Sequence, residues 1–173
     1  MHKWVLVALI LWCSASDGRS YAEGNFVVRI EPSGEFLELE RPSGGQMVKE
    51  HLPLHQIRNV RYFSAGVGLE ERQAEYPPFS LKLVFTAGGK PYLTSVDVAI
   101  RAQMGDTAVD IPKEQIQGPW LFVDLPSGMY DITATYGTQK RSLPGVKIAA
   151  GHQKILYLRW AEDAGATVHL PAD

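Results

Sequence analysis

From Phe79 onward the apolar and polar positions alternate with a period of two, broken at intervals by Gly and Pro. This is the pattern of half-buried antiparallel strands. Phe79, Leu81, Leu83 and Phe85 fall on one face, with Ser80 and Lys82 on the other. After a turn at 87–91, Val96, Val98 and Ile100 share a face, and Ser95, Asp97 and Arg101 point away. Trp120 and Phe122 alternate next, and Tyr130, Ile132, Ala134 and Tyr136 alternate against Asp131, Thr133 and Thr135. Leu156, Leu158 and Trp160 close the series. Turn signals sit at 104–106, 125–128, 137–138 and 150–151. Short strands at near-regular spacing, with no long helical period, predict an all-β sandwich or barrel.

The stretch before residue 77 has a different texture. Phe26, Val28 and Ile30, the turn Glu31 to Gly34, and Leu37 with Leu39 predict a β-hairpin whose apolar residues face one another. A second turn signal spans Arg41 to Gly45. Residues 69–76 read as a short helix stopped by Pro77 and Pro78, because proline disfavours helical geometry in the residue before it. Within the alternating region, Pro126 presets φ for a reversal and Gly128 supplies a positive φ. Tyr130 then starts the next strand inward, with its hydroxyl in reach of a backbone group near the turn.

The N-terminus changes the compartment. Met1, His2 and Lys3 precede an uncharged run from Trp4 to Cys13, and Asp17, Gly18 and Arg19 end it well short of the roughly 20 apolar residues a membrane-spanning helix needs. Residues 1–22 therefore read as a signal peptide, cut after Ala22 or, alternatively, after Ala15, and the product is expected in the periplasm or, as the alternative, secreted. Cys13 is the single cysteine and lies within the expected leader, so neither a disulfide scaffold nor a thiolate site is expected in the mature chain. With 17 Lys and Arg against 19 Asp and Glu in 173 residues, there is no basic excess of the kind that grips nucleic acid. Hydrophobic residues at 45% suffice for a packed core.

The run from Trp120 to Tyr136, with Pro126, Gly128 and Tyr130 inside it, followed by Val146 to Gly151 and a final apolar strand, resembles the carboxypeptidase regulatory-like, or prealbumin-like, β-sandwich. The likeness covers about Phe79 to Trp160. It implies a seven-stranded antiparallel, Ig-like sandwich, here with an N-terminal β-hairpin extension, and such modules are mostly non-catalytic. The segment Tyr62 to Glu71, leading into Leu81 to Phe85, is also similar to a block in proteobacterial exported proteins that carry this sandwich. The expected organisation is a signal peptide at 1–22, a β extension with a glycine-rich loop at 23–76, the sandwich at 77–161 and a flexible tail at 162–173. The hydroxyisourate hydrolases of the prealbumin-like group end in Tyr-Arg-Gly-Ser, whereas Val168 to Asp173 carries no such motif.

Candidate chemistry is sparse. Met47, His51 and His55 recur at intervals of four, which on a helix lines one face with metal donors, but Pro53 opposes that helix, and neither a metal nor any other cofactor is expected. No nucleophile–base–acid grouping and no paired carboxylates are legible, so an enzyme is not expected. The loop holding Gly66, Gly68, Glu70 and Glu71 reads as a tight turn whose glycines permit special backbone geometry and whose carboxylates face a partner. The chain is thus expected to be an exported, non-enzymatic interaction module for a periplasmic or envelope protein. The alternative is a cell-envelope small-ligand or carbohydrate-binding module, which stacks sugars on exposed tyrosines.

Overall fold

The computed structural model describes residues 26–43, 45–88 and 93–161. The expected signal peptide at 1–22 and the tail at 162–173 lie outside them. The chain is all-β, with three sheets and little helix.

β1 (Val28–Ile30), β2 (Phe36–Ser43) and β3 (Gln46–Pro53) form an antiparallel three-stranded sheet. Its first turn closes through the Gly34 N–H donating to the Glu31 carbonyl at 2.9 Å, with Gly34 at a φ of 73°. Val28 lies opposite Leu39 and Ile30 opposite Leu37, the pairing expected of the hairpin. β4 (His55–Ile57) and β5 (Val60–Ala65) follow as a second hairpin, and then α1 (Leu69–Gln73). The remaining strands are β6 (Leu81–Ala87), β7 (Asp97–Ala102), β8 (Ala108–Ile111), β9 (Trp120–Asp124), β10 (Gly128–Tyr136), β11 (Gln139–Ile148) and β12 (Lys154–Trp160). They build a four-stranded sheet in the order β11-β10-β7-β8 and, with β4 and β5, a five-stranded sheet in the order β12-β6-β9-β5-β4. Neighbours run antiparallel except β6 and β12, which are parallel.

The four- and five-stranded sheets pack face to face. Leu81, Leu83, Phe85, Leu121 and Val123 of one meet Val98, Ile100, Ile111, Ile132 and Ala134 of the other, all nearly without solvent contact. The opposite face of the five-stranded sheet is also covered. There Phe63, Ala65 and Phe122 pack beneath Val28, Leu37, Leu39 and Leu52 of the N-terminal sheet. A strand buried on both faces needs apolar residues at both parities, which is why β9 reads Trp-Leu-Phe-Val rather than alternating.

Several sequence expectations change here. β4 and β5 precede residue 77 yet complete the five-stranded sheet, so the expected boundary at 76–77 cuts through it, and the two facing sheets hold nine strands rather than seven. Phe79 precedes β6 and turns into the second core, packing edge-on against Phe63 at 4.9 Å, instead of sharing a face with Leu81. The helix stops at Gln73, because Glu75 is drawn into extended pairing: its N–H donates to the Phe26 carbonyl at 2.8 Å and its carbonyl accepts the Val28 N–H at 3.0 Å. Gly128 is the first residue of β10 and is not in the left-handed region. Glycine fits there because the Tyr130 ring lies across it, 3.3 Å from where a Cβ would stand. The Tyr130 hydroxyl donates back to the Pro126 carbonyl at 2.9 Å, which ties the turn to the strand it feeds.

Tyr130→Phe should therefore lower folding stability by about 1 kcal/mol. Gly128→Val, which forces the ring aside, should cost about 1–3 kcal/mol. Urea denaturation of the two variants checks both, and equal midpoints with the parent would remove the turn's role in stability.

Candidate functional site

The glycine-rich loop joins β5 to α1 and lies on the indole of Trp120. Gly66 has a φ of 95°, and a Cβ on it would stand 2.9 Å from Trp120 Cδ2, so both backbone geometry and space demand glycine. Gly68 differs: it caps α1 at a φ of −83°, open to any residue. The expectation of special geometry thus holds for the first glycine and not for the second.

The two carboxylates also part company. Glu71 is only 7% exposed. It curls back and accepts the Gly66 N–H at 2.6 Å and the Val67 N–H at 3.3 Å. Arg72 holds the carbonyl side of the same loop, donating to Gly66 O at 2.8 Å and Val67 O at 3.0 Å. Below it the Tyr76 hydroxyl donates to the Glu71 carbonyl at 2.9 Å, and burial first, then the charges of Glu71 and Glu50, push this phenol well above its usual range. Glu71 is therefore the loop's internal tie, which corrects the expectation that it faces a partner. Glu70 stays at the surface and pairs with Arg41 of β2 at 3.7 Å.

Beside this loop is a cleft of about 290 Å³, floored by the end of β3 and β4 and walled by the loop and by Gln115 to Gly118. His51, His55, Ser64, Glu71, Gln115 and Gly118 line it, so it brings together two of the sequence candidates from β3–β4 and one from the loop. Ser64 is occupied by Gly118, whose N–H donates to Oγ at 2.8 Å while the hydroxyl points back to its carbonyl at 3.3 Å. Gly118 presses on β5 so closely that a Cβ would overlap the Ala65 carbonyl. The His55 ring stacks on Tyr62 at 5.2 Å, and burial moves its pKa down, favouring the neutral imidazole. The Tyr62 hydroxyl donates to Gln115 Oε1 at 2.6 Å, and burial raises its pKa. The cleft thus offers hydrogen-bonding groups to a polar ligand rather than a hydroxyl aimed at an imidazole.

Met47, His51 and His55 are not gathered. β3 is a strand, so Met47 and His51 share a side but stand about 13 Å apart, and His55 follows the break at Leu54. His51 instead meets acids through the hairpin register, which sets Glu38 opposite it. Its Nε2 lies 3.0 Å from Glu31 Oε1 and 3.7 Å from Glu38 Oε2. These three donors lie within 4.8 Å of one another and, among the described residues, are the group that could hold a cation. Lys49 already sits 2.9 Å from Glu38, lowering that carboxyl's pKa chiefly by hydrogen bonding, so the group is satisfied as an ion network.

The open edge of β12 escaped the sequence reading. Its even-numbered residues turn their backbone to β6, as the Lys154 N–H to Ser80 O bond (2.8 Å) and the Gly88 N–H to Trp160 O bond (3.2 Å) show. In a parallel pair the intervening residues point the other way. Ile155 and Tyr157 therefore direct both backbone groups outward, and their side chains are 47% and 61% exposed. At the far end Arg141 donates to the Arg159 carbonyl at 2.9 Å. The signal was present: Ile155 and Tyr157 are apolar at the parity opposite to Leu156 and Leu158.

Lys82 is not an outward residue either. Its ammonium lies 3.4 Å from the centroid of the Trp120 ring and 5.0 Å from that of Phe122, and loss of solvent brings its pKa down to about 8.

No family model, curated protein or solved structure matches this chain.

Two predictions follow from this geometry. Glu71→Ala strands two loop N–H groups and should destabilise by about 2–3 kcal/mol, whereas Glu70→Ala should change stability by less than about 0.5 kcal/mol. Chemical denaturation separates them, and equal effects would deny Glu71 its tying role. For Lys82, the unfolded chain keeps the proton up to about pH 10.5 and the folded chain releases it near 8. Between those values the unfolded state binds more protons, so stability gains from Lys82 as pH rises through that window. The stability of the parent relative to Lys82→Met should climb from pH 8 to 10, and a flat difference would contradict the burial of the ammonium.

Proposed function

We propose that this chain is an exported, non-enzymatic β-sandwich that serves as a protein-interaction module in the periplasm, docking a partner on the outer edge of β12. The observation that carries the reading is that edge: a strand paired with β6 on one side only, with two exposed apolar side chains and outward backbone groups, the surface on which another chain adds as a strand. The prealbumin-like likeness of residues 79–160 belongs to the same proposal. It is supported by the seven strands β6–β12 falling within that span and by the Pro126–Tyr130 tie.

The cleft beside His55 and Gln115 favours a second reading, a small-ligand or carbohydrate-binding module of the cell envelope. Its polar walls, with His55, Gln115 and Gln117 among them, suit a compact polar molecule.

A photo-crosslinking amino acid placed at Tyr157 of the exported chain, and separately at Gln117 in the cleft wall, distinguishes the two in intact cells. One discrete protein adduct from position 157 and none from 117 is the expected result. Absence of any protein adduct from 157 would sink the docking proposal and leave the cleft as the site.

A further inference from the structure

The charges around β12 are segregated in a way the net charge conceals. The whole chain has a formal charge of −2. Yet from Ile132 to Ala161 it contains Lys140, Arg141, Lys147, Lys154 and Arg159 and no Asp or Glu at all. These residues lie on β11 and β12, the edges of the two facing sheets, which touch where Arg141 reaches the Arg159 carbonyl and where the Trp160 indole N–H meets the Gln139 carbonyl at 3.4 Å. All five are exposed, and among the described residues none pairs with a carboxylate. Elsewhere the cations are mixed with acids, although the side chains of Arg29, Arg58 and Lys113 also have no carboxylate partner among the described residues. Arg41, Lys49, Arg61 and Arg101 each have an acidic partner within 4 Å.

Resting on the docking proposal above, we infer that the partner segment is an extended polypeptide rich in Asp and Glu, which adds as a strand to β12 and sets its acids against Lys154, Arg159 and Arg141. Three features of one edge converge on that chemistry. Outward backbone groups at Ile155 and Tyr157 ask for a strand, their side chains ask for apolar residues at alternate positions, and the flanking cations ask for carboxylates. A polyanion without a peptide backbone would meet the charges but leave the edge N–H and C=O groups and the apolar pair without complements. Basic residues on an edge also keep like chains from pairing with it, so the same cations select for an acidic strand and against a second copy.

Fluorescence anisotropy of the purified exported chain with a labelled ten-residue peptide alternating Asp with Val tests this. The acidic peptide should bind, more weakly at high salt. Lys154→Glu with Arg159→Glu should weaken binding roughly tenfold or more, whereas Lys140→Glu with Lys147→Glu, on the outer face of the neighbouring sheet, should weaken it much less. Both pairs are exposed, and melting curves confirm that each variant is folded. A peptide with Lys in place of Asp, or with N-methyl groups along its pairing edge, should not compete. Failure of the acidic peptide to bind, or equal affinity for the Lys peptide, would overturn the inference. Polyphosphate competing as well as the acidic peptide, with the N-methylated peptide still binding, would overturn it in favour of a polyanion site. An adduct from position 157 together with a silent acidic peptide would refute the acidic partner alone, whereas loss of both would refute the docking reading as well.

Discussion

The middle sheet of this protein has to be apolar on both sides, and most of what surrounds it is a consequence. β5 and β9 lie side by side with Phe63 opposite Phe122, the rings stacked at 4.6 Å and within 3° of parallel, while Tyr62, Leu121 and Val123 point the other way into the sandwich. Each buried ring of this kind contributes about 1.5–3 kcal/mol through the water it excludes. Without a cover, the Phe63–Phe122 face would be a large exposed apolar patch. The N-terminal sheet supplies that cover, and its own small core of Val28, Leu37, Leu39 and Leu52 is completed by those rings together with Phe79 and Ala65. Neither half is finished alone.

From this arrangement the local oddities fall into place. Trp120 belongs to the covered face but lies at its rim, so the loop after β5 must pass over the indole, and only glycine at Gly66 gives the clearance. A loop pinned there has inward N–H groups, and Glu71 answers them from the following helix. Lys82 occupies the same face two strands from β5. A charge caught at the edge of an apolar layer takes the aromatic ring faces as its partner.

Much of the backbone plan was legible in the chain. Strict alternation in β10 announced which side chains go inward, and the Val28–Leu39 hairpin followed from matched apolar parities across a Pro-Ser-Gly turn. What alternation cannot state is how many faces are covered. Phe79 is apolar and buried as its pattern implies, but against the third layer rather than beside Leu81, and that same layer turns Lys82 from an outward residue into a half-buried one. Glu71 was misread for a related reason: a carboxylate beside two glycines looks solvated until the loop folds back upon it. Gly118 and the His51–Glu31–Glu38 network depend on contacts between separate segments, which no local spacing encodes. The β12 edge was readable in principle. Its second apolar parity was there, but only the sheet order reveals that nothing lies over it.

The parallel pairing of β6 with β12 joins the first and last strands of the 79–160 region, setting Leu81 beside Lys154 and Ala87 beside Trp160. All the intervening strands lie between them in sequence, so this contact closes a long loop and is entropically among the most expensive to make early. β12 is therefore the strand the chain is least able to place before its neighbours have formed. It is also held on one side only. Because β12 also brings Leu158 and Trp160 into the core, an incoming strand that lengthened the sheet past it would secure both the β6–β12 seam and the packing behind it.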